Sequence, residues 1–260
     1  ALLEKFASLL GRGADAAEWR SRREAMAAAF NRRFLTVRRG TSPAPGHTLY
    51  PDSVFYGNNT ATANILPLAF GIAPDSLRPE IAKNLVENII VKNGGHVSSG
   101  VIGTSWLLGT LTDNGFADVA CLLATNRSYP SWGYMLDHGA TTIWELWNGD
   151  TADPSMNSGN HVMLLGDLLP WCYEHLAGIR PDMSAPGFKR IVLKPDFSIR
   201  KLTGVAASHR SPYGIISSEW RRDGGKVAWK VSIPANTTAE VHLPDGSVRE
   251  IGSGEWSFGN

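Results

Sequence analysis

Apolar positions along the chain change period once, near residue 180. Before that point they recur at three- and four-residue steps, the spacing that lays a stripe along one face of a helix. Leu2, Leu3, Phe6, Leu9 and Leu10 make the first stripe, which Gly11 and Gly13 are expected to close. A second helix is predicted to open at Asp15, with Glu18 three residues on as capping-box partner and Trp19, Met26, Phe30 and Phe34 on one face. Further helices are predicted over 60–70, 79–92, 103–112, 116–125 and 160–176. The last of these carries His161, Leu165, Leu168, Leu169, Cys172 and Leu176 on one stripe. Residues 41–59 are rich in Pro, Gly, Asn and Ser without a period, and are expected to line something rather than merely connect.

After residue 180 the pattern alternates. Val227, Trp229, Val231 and Ile233 form one run and Ala239, Val241 and Leu243 another, while Asp223-Gly224-Gly225 and Asp245-Gly246 supply hairpin turns. Short strands of this kind predict a small antiparallel β-domain, a sandwich, over 181–260, with 181–186 as the junction. The fold class is therefore mainly α: residues 1–180 as part of a toroidal α/α barrel, followed by the β-sandwich. Six helical hairpins need roughly twelve helices and the pattern supplies roughly seven. Either the fold is smaller or the chain is the last part of a longer protein.

Composition changes this picture little. At 260 residues, 43% hydrophobic and 19% charged, the chain is that of a folded globular protein. Its formal net charge of +1 conceals Arg20, Arg22, Arg23, Arg32, Arg33, Arg38 and Arg39, which read as a solvated helix face, so no nucleic-acid partner is expected. Cys121 and Cys172 lie in apolar helical patterns without metal spacing or a disulfide framework. No apolar run approaches the roughly 18 residues of a membrane span. The chain opens in a helical pattern without Met or a charged-then-apolar leader, as expected of a fragment.

The chemistry concentrates between Tyr129 and His161, where Glu145 stands between Trp144 and Trp147 among turn residues. A sugar offers C–H faces that pack on aromatic rings and hydroxyls that need polar partners, so this mixture points to a carbohydrate-cleaving site. A carboxylate partly desolvated by indoles suits general acid or base work. Spacing alone leaves open a loop glutamate that caps a neighbouring helix. His161, 161 − 145 = 16 residues on, is predicted at a helix N-terminus capped by Asn157 or Ser158, where the dipole disfavours its cation and the ring can bond a hydroxyl. A satisfied core histidine is the other reading. Asp137, His138, Asp150 and Asp153 bracket the loop as sugar contacts or turn formers, and His96 is a loop histidine before a helix start or a turn residue. Asp150 and Asp153 lack the repeated oxygen ligands of a calcium loop, and no phosphate loop, Ser-His-Asp order or paired-cysteine site appears. No metal and no cofactor are predicted.

Taken together, GGHVSSGVIGT (94–104), the run LTDNGFADVACLLATNRSYPSWGYMLDHGATTIWELWNGD (111–150) and MNSGNH (156–161) resemble the C-terminal half of bacterial α-L-rhamnosidases, the inverting glycoside hydrolase family 78. The tail segments GFKRIVLKP, SPYG and IPANTTAEVHLP extend the resemblance over essentially the whole chain. It implies an α/α six-barrel followed by a β-sandwich, Glu145 as the base that activates water, and a rhamnosyl subsite lined by His161 and the indoles Trp132, Trp144 and Trp147. His96 and Asp137 join these as candidate substrate contacts. It also implies a rhamnose-containing glycoside as partner. The chain departs from the family pattern at Leu146, usually a charged residue, and at Asn148, usually an aspartate. The family's general acid lies in an acidic segment that nothing in 1–260 matches. Two competing functions remain: a related α/α-barrel glycosidase for another sugar, which a panel of aryl glycosides separates, and a non-catalytic sugar-binding or scaffold protein, which binds rhamnosides without cleaving them.

Overall fold

Two units make up the computed structural model, residues 1–103 and 104–260, and each is described by itself. The structure describes residues 1–40 and 53–259. In the first unit α1 (Leu2–Leu9) and α2 (Gly13–Phe34) form a helical hairpin that turns at Gly11. Gly13 opens α2 rather than closing α1, and the expected capping box is absent. The N-cap position falls on Arg12, which has no side-chain acceptor to offer, so Asp15 pairs with Arg12 at 2.5 Å and Glu18 with Arg22 at 2.5 Å. The α1 stripe faces outward: Leu9 is 71% and Leu10 73% exposed. Nor does α2 bury one face, since Met26 and Phe34 are exposed while Trp19 and Phe30 are half-buried. Its arginines are largely exposed, and Arg20 and Arg23 both reach Glu4.

Much of the segment predicted to be aperiodic, 41–52, lies outside the described residues. Its continuation departs from expectation, because Ser53–Tyr56 is a fully buried strand, β2, paired antiparallel with β1 (Leu35–Arg38). Helix α3 (Ala61–Ala69) is capped by the Thr60 hydroxyl, which accepts from Ala63 N–H at 3.3 Å. Helix α4 (Arg78–Glu87) runs into a π-helical turn, Asn88–Lys92, and buries Ile81, Leu85 and Ile89 as predicted.

The helix expected over 103–112 is two: α5 (Val101–Thr104) and α6 (Leu107–Asp113). The start of α6 is held by a distant carboxylate, Asp167, which accepts from Leu108 N–H at 3.1 Å and Gly109 N–H at 2.8 Å. Helices α7 (Ala117–Thr125) and α8 (Trp132–Asp137) follow, the latter capped by Ser131. The predicted 160–176 helix is also broken. A 3₁₀ turn, Val162–Leu165, ends at Gly166, whose φ of 62° places its backbone against Thr104; a Cβ there would stand 2.5 Å from the Thr104 carbonyl oxygen. Only then come α9 (Leu168–Trp171) and a π-helical turn, Cys172–Leu176. Cys121 is buried and Cys172 half-buried, both as free thiols that burial pushes up in pKa.

Eight strands follow in two four-stranded sheets. One is ordered β3 (Ile179–Pro181), β4 (Arg190–Leu193), β8 (Thr238–His242), β9 (Val248–Ile251). The other is ordered β10 (Gly254–Gly259), β7 (Lys226–Ile233), β6 (Gly214–Asp223), β5 (Gly204–Ser211). The alternation reads out as predicted, with Val227, Trp229, Val231, Ile233, Ala239, Val241 and Leu243 all buried. Gly224 and Gly225, at φ of 53° and 87°, form the two-residue turn of the β6–β7 hairpin. The sheets are not wholly antiparallel: β4 and β8 run parallel, which the long excursion through β5, β6 and β7 between them allows. Side chains of both sheets share one core around Trp220 and Trp229. Its polar atoms are paired: Trp229 Nε1 donates to Ser218 Oγ at 2.9 Å, Ser218 Oγ to the Ala177 carbonyl at 2.7 Å, and Trp220 Nε1 to the Leu176 carbonyl at 2.8 Å.

Candidate active site

Glu145 lies neither on a strand of a sheet nor on a helix, and it caps no helix. It is held by a short two-chain ladder between residues 142–146 and 157–161. Glu145 N–H donates to the Ser158 carbonyl at 2.9 Å, and His161 N–H to the Ile143 carbonyl at 2.7 Å. The Thr142 hydroxyl donates to the Gly159 carbonyl. The carboxylate is fixed by the same returning segment: Ser158 N–H donates to Glu145 Oε2 at 3.0 Å. Among the described residues no hydrogen bond reaches Oε1. The half-buried side chain thus has one oxygen tethered and one available.

Indoles surround this ladder. Trp144 is buried, and Gly149 packs so closely on it that a Cβ would stand 2.7 Å from its ring atoms. Trp147 meets Trp132 edge-on with ring centroids 5.6 Å apart. Trp132 is itself anchored by its Nε1–H, which donates to the Leu164 carbonyl at 3.0 Å. That contact ties α8 to the turn following His161.

His161 is half-buried and precedes a 3₁₀ turn rather than the predicted α-helix. Asn157 and Ser158 do not cap it; they serve the Glu145 ladder. Its Nδ1 is buried and has no hydrogen-bond partner among the described residues.

The outer candidates are engaged elsewhere. Asp137 forms an ion pair with Arg127, whose Nε donates at 2.9 Å. Asp150 accepts from the Tyr134 hydroxyl at 3.1 Å, and loss of solvent, with Asp150 second, raises the Tyr134 pKa. His138 stacks on Tyr134 at 3.8 Å. Asp153 is a turn former: the Ser155 N–H and hydroxyl hold its carboxyl below the ordinary range. His96 belongs to the first unit. Its Nδ1–H donates to the Asn93 carbonyl at 3.1 Å, and Asn93 in turn donates to the Asn88 side chain at 2.8 Å. Asn88 donates to the carbonyl of Asn59, a buried residue at φ of 59° whose side chain also accepts from Asn64 and Asn84.

Glu145, Trp132, Trp144, Trp147 and His161 therefore lie in one unit, with Trp132 on Trp147 directly and the others linked through Ser158, Ile143, Gly149 and Leu164. Sequence reasoning did not assign Ser158 or Gly149 to this framework. The motif Met-Asn-Ser-x-Asn-His was the available signal, since a partner strand must return at a fixed distance from the residue it holds. Among the described residues no group of three or more His, Cys, Asp or Glu is placed to hold a metal, and no helix is long and apolar enough to cross a membrane.

In outline the chain is a helical region followed by a two-sheet β-sandwich, with a loop-held carboxylate beside indoles. Residues 1–176 match the bacterial alpha-L-rhamnosidase 6 hairpin glycosidase domain, and residues 178–256 match the bacterial alpha-L-rhamnosidase C-terminal domain. The chain belongs to the bacterial α-L-rhamnosidase family. An alpha-L-rhamnosidase of Streptomyces avermitilis is 39% identical over 191 residues, 72% of this chain and 18% of the relative. One from Formosa agariphila is 29% identical over 96% of this chain and 25% of its own length. The crystal structure of the Streptomyces avermitilis alpha-L-rhamnosidase complexed with L-rhamnose superposes with a TM-score of 0.84 at 32% identity, over 99% of this chain and 25% of that one. The alpha-L-rhamnosidase from Dictyoglumus thermophilum superposes at 0.85 with 27% identity, over 99% of this chain and 30% of that one. The chain spans about a fifth to a quarter of the length of the curated relatives it matches.

Proposed function

We propose that the chain is the C-terminal part of an α-L-rhamnosidase that releases terminal L-rhamnose from glycosides with inversion, and that Glu145 is its general base. The tethering of Glu145 Oε2 by Ser158 N–H, with Oε1 left available, carries this reading. Oε1 takes a proton from water as the water oxygen bonds to the anomeric carbon. The bond from that carbon to the leaving oxygen breaks, and a carboxylic acid supplied by sequence outside residues 1–260 protonates the leaving oxygen. Such a pair stands roughly 6.5–9.5 Å apart, leaving room for the water. Half-buried Trp147 offers an apolar face to the sugar, buried Trp144 and Trp132 back the subsite, and the half-buried His161 ring bonds a hydroxyl. Asp137 is an outer contact on condition that its pairing with Arg127 opens, and His96 remains a candidate sugar contact of the first unit. The rhamnose complex of the Streptomyces avermitilis relative supports the choice of sugar.

The same proposal includes a division near residue 180 and a closed (α/α)₆ barrel around the site. The two family matches, which meet between 176 and 178, support the division. The outward apolar stripe of α1 supports further hairpins that cover it. The test is a panel of aryl glycosides given to the complete polypeptide carrying this chain, with the first-formed sugar observed by proton NMR. Hydrolysis of the α-L-rhamnoside with initial release of the β-anomer is expected. Preference for another sugar, or release of the α-anomer first, contradicts it.

A further inference from the structure

We propose that Asn157 is a positioning residue for Glu145: its carboxamide bridges the opening of the loop that separates the two halves of the site. The proposal rests on the reading of Glu145 as general base. Residues 146–157 leave the ladder directly after Glu145 and return directly before Ser158, a loop of the size whose ends stay together only if something holds them. Asn157 does so with both ends of its amide. Its Oδ1 accepts from Leu146 N–H at 3.2 Å, and its Nδ2 donates to the Gly149 carbonyl at 3.3 Å. Leu146 is the residue after Glu145, and Gly149 is the residue packed on the Trp144 ring. One half-buried side chain therefore ties the backbone on the far side of Glu145 to the strand whose next residue, Ser158, holds the carboxylate.

The chemistry of the bridge requires a carboxamide. Aspartate keeps the acceptor for Leu146 N–H, loses the donor for the Gly149 carbonyl and brings a second negative charge toward Glu145. Alanine loses both bonds. The loop's own turns do not depend on Asn157: Thr151 and Ala152 N–H both donate to the Asn148 carbonyl, and Asp153 accepts from Ser155. Removing Asn157 should therefore leave a folded loop whose attachment beside Glu145 is loosened. Displacement of a reacting group by about 1 Å lowers turnover about 10²-fold.

The experiment uses the complete polypeptide carrying this chain, an aryl α-L-rhamnoside, and sodium azide as external nucleophile. Asn157→Ala is expected to lower kcat about 10²-fold with KM changed less than about threefold, and Tm is expected to stay within about 2 °C of the parent. Asn157→Asp falls between the two. Azide needs no base: its terminal nitrogen bonds to the anomeric carbon as the bond to the leaving oxygen breaks, and that oxygen takes its proton from the general acid. Azide should therefore raise turnover of Asn157→Ala, giving the inverted rhamnosyl azide, as it should for the control Glu145→Ala. Parental kcat in Asn157→Ala overturns the proposal, as does a loss of kcat that tracks a fall in Tm and does not respond to azide. Parental kcat in Glu145→Ala overturns the base reading itself and the proposal with it.

Discussion

The β-sandwich and the first helical hairpin treat the same kind of side chain in opposite ways. In the sandwich, the apolar alternation is consumed internally: Trp220, Trp229, Ile191 and Val241 are all fully buried in a core drawn from both sheets. In α1, the stripe of Leu2, Leu3, Phe6, Leu9 and Leu10 is more than half exposed at every position. The sequence patterns are equally regular, so periodicity reports which face is to be buried and not what buries it. A stripe satisfied within the chain makes a domain core; the α1 stripe is one that the described residues leave uncovered.

This difference predicts unequal responses to truncation. Trp220→Ala should lower stability by about 3–5 kcal/mol, because it opens a cavity and strands the Leu176 carbonyl. Urea unfolding of residues 1–260 measures it, and a loss below about 1 kcal/mol would place the core elsewhere. At the other extreme, Phe6→Ser in the same chain should change stability by less than about 0.5 kcal/mol, since the ring is already 54% exposed. In the complete polypeptide the same substitution should cost about 2 kcal/mol or more if further hairpins cover this face.

Between these lies the buried polar pair beside α6. Asp167 is raised to about 6 by burial, against the backbone bonds from Gly109 and Leu108 that lower it. His175 is lowered to about 4, first by burial and then by Arg180, which donates to its Nδ1 at 2.7 Å. A Cβ on Gly109 would meet Asp167 Oδ2 and His175 Nε2 alike at 3.4 Å, so both groups crowd one backbone position. The raised carboxyl binds its proton more tightly when folded, so its contribution is present below about pH 4 and is lost as pH rises through 6. The depressed imidazole contributes above about pH 6.5 and loses that contribution as pH falls through 4. The two slopes oppose each other between pH 4 and 6. Asp167→Asn should leave the histidine slope alone, so that stability rises with pH across this window by on the order of 2–3 kcal/mol. Urea midpoints at a series of pH values read it; a profile parallel to the parent's would remove Asp167 from the account.

How far the sequence reaches follows from the same contrast. Strand alternation in β7 and β8, the Gly224-Gly225 turn and the α4 stripe were legible because local pattern and local structure agree there. The break of the 160–176 helix was not, because Gly166 takes its left-handed turn against Thr104, a residue some sixty positions away, and Asp167 caps α6 across a similar distance. At the site, residue type singled out Glu145, His161 and the indoles as candidates. Their framework was not legible: Asn157 and Ser158 looked like helix caps, which use the same side-chain chemistry, until the pairing of 142–146 with 157–161 assigned them to Glu145. The Arg127–Asp137 ion pair was likewise not legible, since nothing in the local pattern joins the two.

The central claim is that this chain supplies the water-activating half of a rhamnoside-cleaving site. Turnover of an aryl α-L-rhamnoside by the complete polypeptide, with Glu145 intact and as Glu145→Gln, tests it most directly. The amide keeps the shape and can no longer take the proton, so kcat should fall on the order of 10²–10⁴-fold with the fold unchanged. Turnover equal to the parent's would show that Glu145 is not the base and that the ladder holding it serves another end.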